Sequence, residues 1–514
     1  MADKFKNFLK RTGLDEKPFQ LECYQWCLNR ETQETIPTEG EPFPKRGFGG
    51  FPPSGVLALE MGLGKTIIML GLIECNFKKN TLIILPLALL DQWEKCIQKF
   101  FGHQPLVYHG SRPKNLKLTL AQIKVKPIIL TTYGQISKPS EKQYRRGRLP
   151  SLLHEIQWDR IICDEAHHVS HKNTNEYKGI LALKANIKWL VTGTPIQNRE
   201  HELHNLFTLL GFEHDKVYYN QGTNYADAVN YFVYHRTKAD AGIKLPPLKE
   251  HLEIVKWTDP EEREFSSHIH SLLECCNVPL KAPALEILDT VTDTKTALSL
   301  RFKYMSKAKQ VCIYPPMLQN KEKKEENIKE SKINAIIKTL KERRDNGNGK
   351  IVFCHYYAEI DAIAQRLQAV GITKIQKFDG RIKTHREQQE ILADPMTDVL
   401  LAQIKMCREG LNLQDNYSEV YFPSPDFNPT IEDQAIARCW RIGQTKEVNV
   451  FRYIMEPTDE KKTEHTEGQA QQPEHTEGEQ APLQLPEIYS MDTYSASTQE
   501  YKREIIERMY RYAC

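Results

Sequence analysis

The eight residues Leu59–Thr66, LEMGLGKT, stand between an apolar run that reads as a strand, Gly55–Leu59, and one that reads as a helix, Ile67–Cys75. A glycine loop in that place points backbone N–H groups and the positive end of the helix dipole at one spot, which makes an anion site. It also commits the chain to a parallel α/β unit, because strand–loop–helix is how such a unit begins. Lys65 is placed to reach the β- and γ-phosphates of a nucleotide, and Thr66 to ligate its Mg²⁺. The G-x-x-x-x-G-K-T spacing is not met, because Leu59 stands where its first glycine would be. The loop has instead the A-x-x-x-G-x-G-K-T form, starting at Ala58.

The flanking sequence continues the same pattern. Candidate strands at Gly55–Leu59, Leu82–Leu85, Ile128–Thr131, Arg160–Cys163 and Trp189–Thr192 alternate with helix-length amphipathic stretches. A second series begins near Lys350, with Ile351–Cys354, Lys374–Phe378, Val399–Gln403, Glu419–Phe422 and Val448–Tyr453. Such alternation predicts parallel sheets with crossover helices. The stretch 250–345 between them holds helical patterns and the mixed charge run Lys321–Lys329, which reads as a solvated helix face. Residues 31–54 are rich in Pro and Gly and read as a surface loop. Residues 463–480 hold the near-repeat EHTEG twice, a composition that cannot bury a core. A Tyr-bearing amphipathic helix, about 498–512, follows.

Charge narrows the partners. Seventy Lys and Arg stand against 67 Asp and Glu, a net +3, which excludes a polybasic coat but not a local basic groove. Residues 456–490 hold nine acidic and two basic residues, a net −7, so the rest of the chain carries +10. The segment Lys138–Arg148 has five basic residues and one acid. It reads either as a contributor to nucleic-acid backbone contact or as a plain soluble loop. No run approaches the roughly 20 apolar residues that a membrane span needs, and the N-terminus threads charges through its apolar residues, unlike a secretory leader. Twelve cysteines without any C-x-x-C pair point to a reduced, intracellular protein with no structural zinc.

Two further clusters carry chemistry. Ile161–His168, IICDEAHH, is an apolar strand ending in two carboxylates. Phosphoryl transfer to water needs one carboxylate on Mg²⁺ and another to position the attacking water, roles that Asp164 and Glu165 fit. In Gln434–Gln444, QAIARCWRIGQ, a helix would bring Gln434, Arg438 and Arg441 onto one face. Cations there can neutralise charge growing on a transferring phosphoryl group.

Taken in order, these motifs resemble the SWI/SNF-type ATPases of helicase superfamily two over roughly residues 17–455. The resemblance rests on PFQLECYQW (18–26), LEMGLGKT (59–66), LPLALLDQWE (85–94), TTYG (131–134), DEAHH (164–168) and VTGTPIQN (191–198). It continues with HRTKADAGIKLPPL (235–248), KIVFCHYYAEIDAIAQRL (350–367), EGLNL (409–413) and NPTIEDQAIARCWRIGQTKEVNVFRYI (428–454). W-x-x-x-R-E at Trp26–Glu31 is similar to the lodestar and repair-translocase branch. The RING found between the lobes of several relatives there is not matched by Cys275, Cys276 and Cys312. The compact size is similar to the viral members called global transactivators.

The resemblance implies an α/β fold of two tandem RecA-like lobes with parallel sheets, a helical connecting region and a C-terminal helix. Its expected divisions are 1–246 (first lobe), 247–345 (helical connection), 346–455 (second lobe), 456–490 (acidic low-complexity insert) and 491–514 (helix). It implies ATP and Mg²⁺ as cofactors. ATP would be held by Gln20 at the adenine, by Leu59, Glu60, Met61, Gly62, Leu63, Gly64, Lys65 and Thr66, and by Gln434. Thr66 and Asp164 would hold the metal, and the box Asp164, Glu165, Ala166, His167 the metal and water. Thr192, Gly193, Thr194, Pro195 and Gly410 would couple ATP state to DNA, with Arg438 and Arg441 as arginine fingers. Met406, Cys407 and Arg408 replace the family's Ala-Gly-Gly before Gly410. The implied activity is DNA-stimulated ATP hydrolysis with translocation on double-stranded DNA and displacement of bound proteins, in transcription, chromatin or repair. Chromatin or RNA polymerase are further candidate partners, no membrane is involved, and the nucleus is the compartment. Two alternatives stay open: a DNA- or polymerase-binding regulator with a decayed motor, and a strand-separating helicase.

Overall fold

A computed structural model describes residues 2–32, 53–112, 114–147, 149–197, 201–211, 225–275, 295–318, 330–382, 384–394, 397–406, 411–456 and 490–510. Most of the expected loop 31–54, the charge run 321–329, the near-repeat 463–480 and the positions Cys407, Arg408 and Gly410 lie outside these. The chain divides into two compact units, one reaching to Lys244 and taking the end of the last helix from Glu504, the other Leu245–Arg503.

In the first unit, a sheet joins β1 (Gly55–Leu59), β2 (Thr81–Leu85), β3 (Leu106–Val107), β4 (Ile128–Thr132), β5 (Gln157–Asp164), β6 (Lys184–Thr192) and β7 (Val233–Arg236). Their order is β3-β4-β2-β5-β6-β1-β7, all pairs parallel. In the second, β8 (Leu248–Val255), β9 (Gly349–Cys354), β10 (Ile375–Phe378), β11 (Val399–Gln403), β12 (Tyr417–Phe422) and β13 (Val448–Met455) run in the order β10-β11-β9-β12-β13-β8, again all parallel. This is the expected α/β pattern of two tandem parallel sheets. Every candidate strand is present. The central ones are buried on both faces, so they read as unbroken apolar runs. The strands that the pattern missed are short or lie at an edge: β3, β7 and β8. Polar residues such as Lys249, Glu250 and Glu253 on β8 face solvent and hide it.

That edge strand changes the reading of 247–345. The stretch opens with eight residues paired along β13, and its helices Pro260–Cys275, Lys295–Ile313 and Ser331–Glu342 share the second unit's core. Leu273, Val311, Ile333 and Ile336 pack there with Val352, Tyr453 and, from the C-terminal helix Met491–Tyr510, Met491 and Tyr494. The helix begins at Met491, where the last expected division begins, and ahead of the amphipathic stretch read from about 498. It is tied down by buried polar groups: Asp492 pairs with Lys332, accepts the Met455 N–H at 3.1 Å and meets Ser424 Oγ at 3.1 Å.

The first unit has its own buried ion pair, and it explains the W-x-x-x-R-E pattern. Glu31, at the end of the helix Pro18–Thr32, accepts Arg160 Nε at 2.7 Å, Trp189 Nε1 at 2.8 Å and Asn76 Nδ2 at 2.7 Å. Arg160 Nη2 also donates to Glu31. Trp26 lies against Trp189, with ring centroids 5.7 Å apart, and the Arg30 guanidinium sits 4.6 Å from the Trp26 ring. The motif therefore clamps that helix to β5 and β6.

A third buried carboxyl makes a pH prediction. Glu359, fully buried in the helix Tyr357–Ala369, accepts the His355 and Tyr356 N–H groups at 2.8 and 3.1 Å. Burial pushes its pKa up from 4.5 to about 7. A carboxyl with a raised folded pKa contributes stability below 4.5 and loses it as pH rises through about 7. Glu359→Gln, which keeps the acceptor oxygen, should therefore match wild type near pH 5 and unfold later at pH 8. The ceiling is about 1.4 kcal/mol per pH unit between the two pKa values. Denaturant titration at both pH values checks this, and coincident curves at pH 8 would refute it.

Candidate functional site

The loop after β1 has the geometry that an anion site needs. Gly62 and Gly64 have φ of 91° and 82°, a left-handed conformation that costs a side chain 1–2 kcal/mol or so. Gly64 caps the helix Lys65–Cys75, so the helix starts with its free N–H groups turned into the loop. Lys65 Nζ donates to the Leu59 carbonyl at 3.1 Å, which curls the ammonium over the loop. Gln20 Nε2 donates to the Leu63 carbonyl at 3.1 Å and is itself buried. The structure thus sets Gln20 against the loop backbone, and its adenine role stays with the resemblance.

β5 lies two strands from β1 and ends in the two carboxylates. Asp164 Oδ2 accepts Trp93 Nε1 at 2.8 Å, its Oδ1 accepts the Glu165 N–H at 3.0 Å, and its carbonyl accepts Tyr133 Oη at 2.6 Å. Burial first, and the neighbouring Glu165 carboxylate next, push the Asp164 pKa up to about 7. Trp93 and Lys65 pull the other way. Glu165 holds φ at 50°, the one left-handed non-glycine among the described residues. Strain of this kind, of order 1–3 kcal/mol, persists where the surroundings hold it in place.

β6, between β5 and β1, supplies the third part. His167 Nδ1 lies 3.1 Å from Thr192 Oγ1 and 3.3 Å from Glu165 Oε2, and the Thr194 N–H donates to Thr192 Oγ1 at 3.1 Å. A Cβ on Gly193 would lie 3.1 Å from Lys65 Nζ and 3.4 Å from the Leu59 carbonyl, so only a small residue leaves the lysine room. Thr194 Oγ1 is buried with no hydrogen-bond partner. In one unit the structure thus gathers Gln20, the loop Leu59–Thr66, the box Asp164–His167 and the Thr192–Pro195 turn.

These residues fit MgATP. A lysine folded over a ring of loop N–H groups suits phosphate. Two adjacent buried carboxyl groups, with Asp164 held from ionising first by burial and then by its neighbour, suit a cation that would favour the ionised form of Asp164. Mg²⁺ asks for only one or two protein ligands beside phosphates, as Thr66 and Asp164 could supply.

Gln434, Arg438 and Arg441 belong to the second unit. Gln434 is buried on the helix Pro429–Cys439, and neither end of its side-chain amide has a hydrogen-bond partner. The expected single face is corrected for Arg441. The helix stops at Cys439, Trp440 leaves the helical region at φ −96°, ψ 82°, and Arg441 lies in the turn beyond. Trp440 Nε1 donates to the Pro246 carbonyl at 2.8 Å, which draws the chain off the helix axis. The R-I-G-Q ending then shows its purpose. Gly443 turns at φ 103°, and Gln444 Nε2 lies 3.0–3.1 Å from the Gln414, Tyr417 and Cys439 carbonyls, the last belonging to the helix end. Arg441 Nη1 in turn donates to Asn412 Oδ1 at 2.5 Å.

Sequence reasoning assigned no role to Trp93, Tyr133 or the Arg236–Lys238 segment. Each stood inside a motif string, so the residue type was visible. Its partner, 71, 31 or 178 positions away, was not.

The chain is similar in sequence to known proteins. A model of the SNF2-related domain matches residues 19–317, and one of the helicase conserved C-terminal domain matches 331–443. DNA repair protein RAD5 of Candida albicans is 25% identical over 79% of this chain and 54% of its own. The probable global transactivator of Orgyia pseudotsugata multicapsid polyhedrosis virus is 27% identical over 79% of this chain and 83% of its own. The chain spans about half the length of the RAD5 relatives it matches. The SWI2/SNF2 ATPase core of Sulfolobus solfataricus, solved in complex with double-stranded DNA, is 23% identical, with a TM-score of 0.38 over 86% of this chain and 88% of that one.

Proposed function

This chain belongs to the SNF2-related family of helicase superfamily two ATPases, and we propose that it is a DNA-stimulated, Mg²⁺-dependent ATPase that moves along double-stranded DNA and shifts or displaces proteins bound there. The carrying observation is the first unit's cluster, in which Lys65 over an open glycine loop faces the paired carboxylates Asp164 and Glu165. Mg²⁺, bound with ATP, would neutralise phosphate charge. Lys65 would leave the Leu59 carbonyl for the β/γ-phosphates, and Thr66 with Asp164 would hold the metal. Glu165, steadied by its strained backbone and by His167, would orient the attacking water. The His167–Thr192 contact supports Thr192–Pro195 as the relay of nucleotide state towards DNA. Arg438 and Arg441 are assigned as arginine fingers from their motif. DNA contact would run through phosphates and be independent of sequence. The nucleus is the compartment where such a substrate is met.

ATP turnover measured with duplex DNA, single-stranded DNA, RNA and nucleosomes tests the reading. Duplex should stimulate most, and Arg441→Ala should cut the stimulated rate by about 10³-fold, the scale of an arginine finger. Turnover indifferent to DNA would sink the proposal, and ATP-driven separation of a tailed duplex would favour a helicase instead.

A further inference from the structure

The segment after β7 grips the start of the phosphate loop. β7 pairs with β1 so that Arg236 stands opposite Leu59, and the Glu60 N–H donates to the Arg236 carbonyl at 3.0 Å. Glu60 then turns its carboxylate to Lys238. Oε2 accepts the Lys238 backbone N–H at 2.7 Å, and Oε1 lies 2.9 Å from Lys238 Nζ. Lys238 is 5% exposed, so water screens this pair little. The turn that presents it is closed on itself. Asp240 Oδ2 accepts both the N–H and the hydroxyl of Thr237 at 2.8 Å, and the Ile243 N–H donates to the Lys238 carbonyl at 3.0 Å. Those two Thr237 hydrogen bonds also hold the Asp240 carboxyl below its ordinary range.

From this we infer that Lys238 is a positioning residue for ATP, acting through Glu60. The loop is anchored at its far end by the hydrogen bond of Gln20 to the Leu63 carbonyl, and at its near end by the three contacts that Glu60 makes with the segment after β7. Between the anchors lie Met61 and Gly62, whose N–H directions decide whether the phosphates are met by preorganised donors, while the Leu63 N–H donates to the Glu60 carbonyl at 3.3 Å and closes the loop on itself. Lys238 also removes a hazard. Glu60 is partly exposed beside a site meant for a polyanion, and without its counter-charge the carboxylate would repel the ligand it helps to frame. The inference rests on the ATPase reading and adds a residue that neither the loop pattern nor the carboxylate box contains.

The test uses the full chain and a fluorescent ATP analogue, with steady-state turnover alongside. Lys238→Met should weaken nucleotide binding by about tenfold and raise KM for ATP to match, with kcat at saturating ATP within about twofold of wild type. Glu60→Ala should weaken binding comparably. The double variant should be no weaker than Lys238→Met alone, because the pair acts as one element. Lys238→Arg, which keeps charge and reach, should recover most of the affinity. Unchanged binding in Lys238→Met, or singles whose effects multiply in the double, would overturn the inference. So would a Lys238→Arg protein that melts like wild type yet binds as weakly as Lys238→Met. Wild type that binds no nucleotide would instead bring down the ATPase reading beneath it, a result separable from all three.

Discussion

Lys65→Ala is expected to remove ATP turnover, lowering kcat/KM by at least about 10²–10³-fold, the scale for losing one preorganised charge-stabilising donor. Gly64, left-handed at φ 82°, starts the helix with Lys65 as its first residue, so the side chain rises from the rim of the loop instead of from the helix flank. Its ammonium reaches the Leu59 carbonyl at 3.1 Å and lies close enough to Asp164 to favour that carboxyl's ionised form. The fold should survive, because Lys65 is only half-buried and the core beneath the helix is built from Ile68, Met69, Leu70 and Leu72. Glu165→Gln provides the contrast, retaining nucleotide binding while losing turnover. ATPase assays with saturating duplex DNA, paired with melting curves, check both. A Lys65→Ala protein that keeps a tenth or more of wild-type turnover would sink the assignment.

Glu31→Gln or Arg160→Met should destabilise the first unit by about 3–5 kcal/mol, the cost of stranding one member of a buried pair. Both side chains are fully buried. The carboxylate of Glu31 also takes the indole N–H of Trp189 and the amide of Asn76, so it is the junction of helix, sheet and the cap of the phosphate-loop helix. Removing its charge leaves the guanidinium without compensation. At 2–4 °C per kcal/mol for a unit of this size, the melting transition of that unit should fall by roughly 10 °C. Intrinsic fluorescence, to which Trp26, Trp93, Trp158 and Trp189 of the first unit contribute among six tryptophans, follows the same transition. A fall of less than about 2 °C in both variants would show that the pair carries little stability.

What could be read in advance followed from locality. Lys65, Thr66, Asp164 and Glu165 each sit within a few residues of a strand end, and a strand buried on both faces announces itself as an apolar run. The chemistry at its end is therefore legible from neighbours in the chain. The helical reading of Arg441 failed for the complementary reason. Nothing in the alternation of QAIARCWRIGQ shows that Trp440 leaves the helical region as its indole reaches Pro246, a carbonyl 194 positions away. β8 escaped notice because an edge strand needs to be apolar on one face at most, and its polar residues imitate a loop.

The sequence by itself determined the family, the two parallel α/β sheets and the choice of the four residues proposed to carry phosphoryl chemistry. Those properties are written in short contiguous patterns whose period and chemistry follow from backbone geometry. Only the tertiary structure decided what holds them in place: Trp93 and Tyr133 on Asp164, Glu31 on Arg160, Lys238 on Glu60, and Gln444 closing the turn that carries Arg441. Hydrogen bonds and buried ion pairs act over about 3 Å in space and are indifferent to distance along the chain. Their partners become visible only once the fold has brought them together.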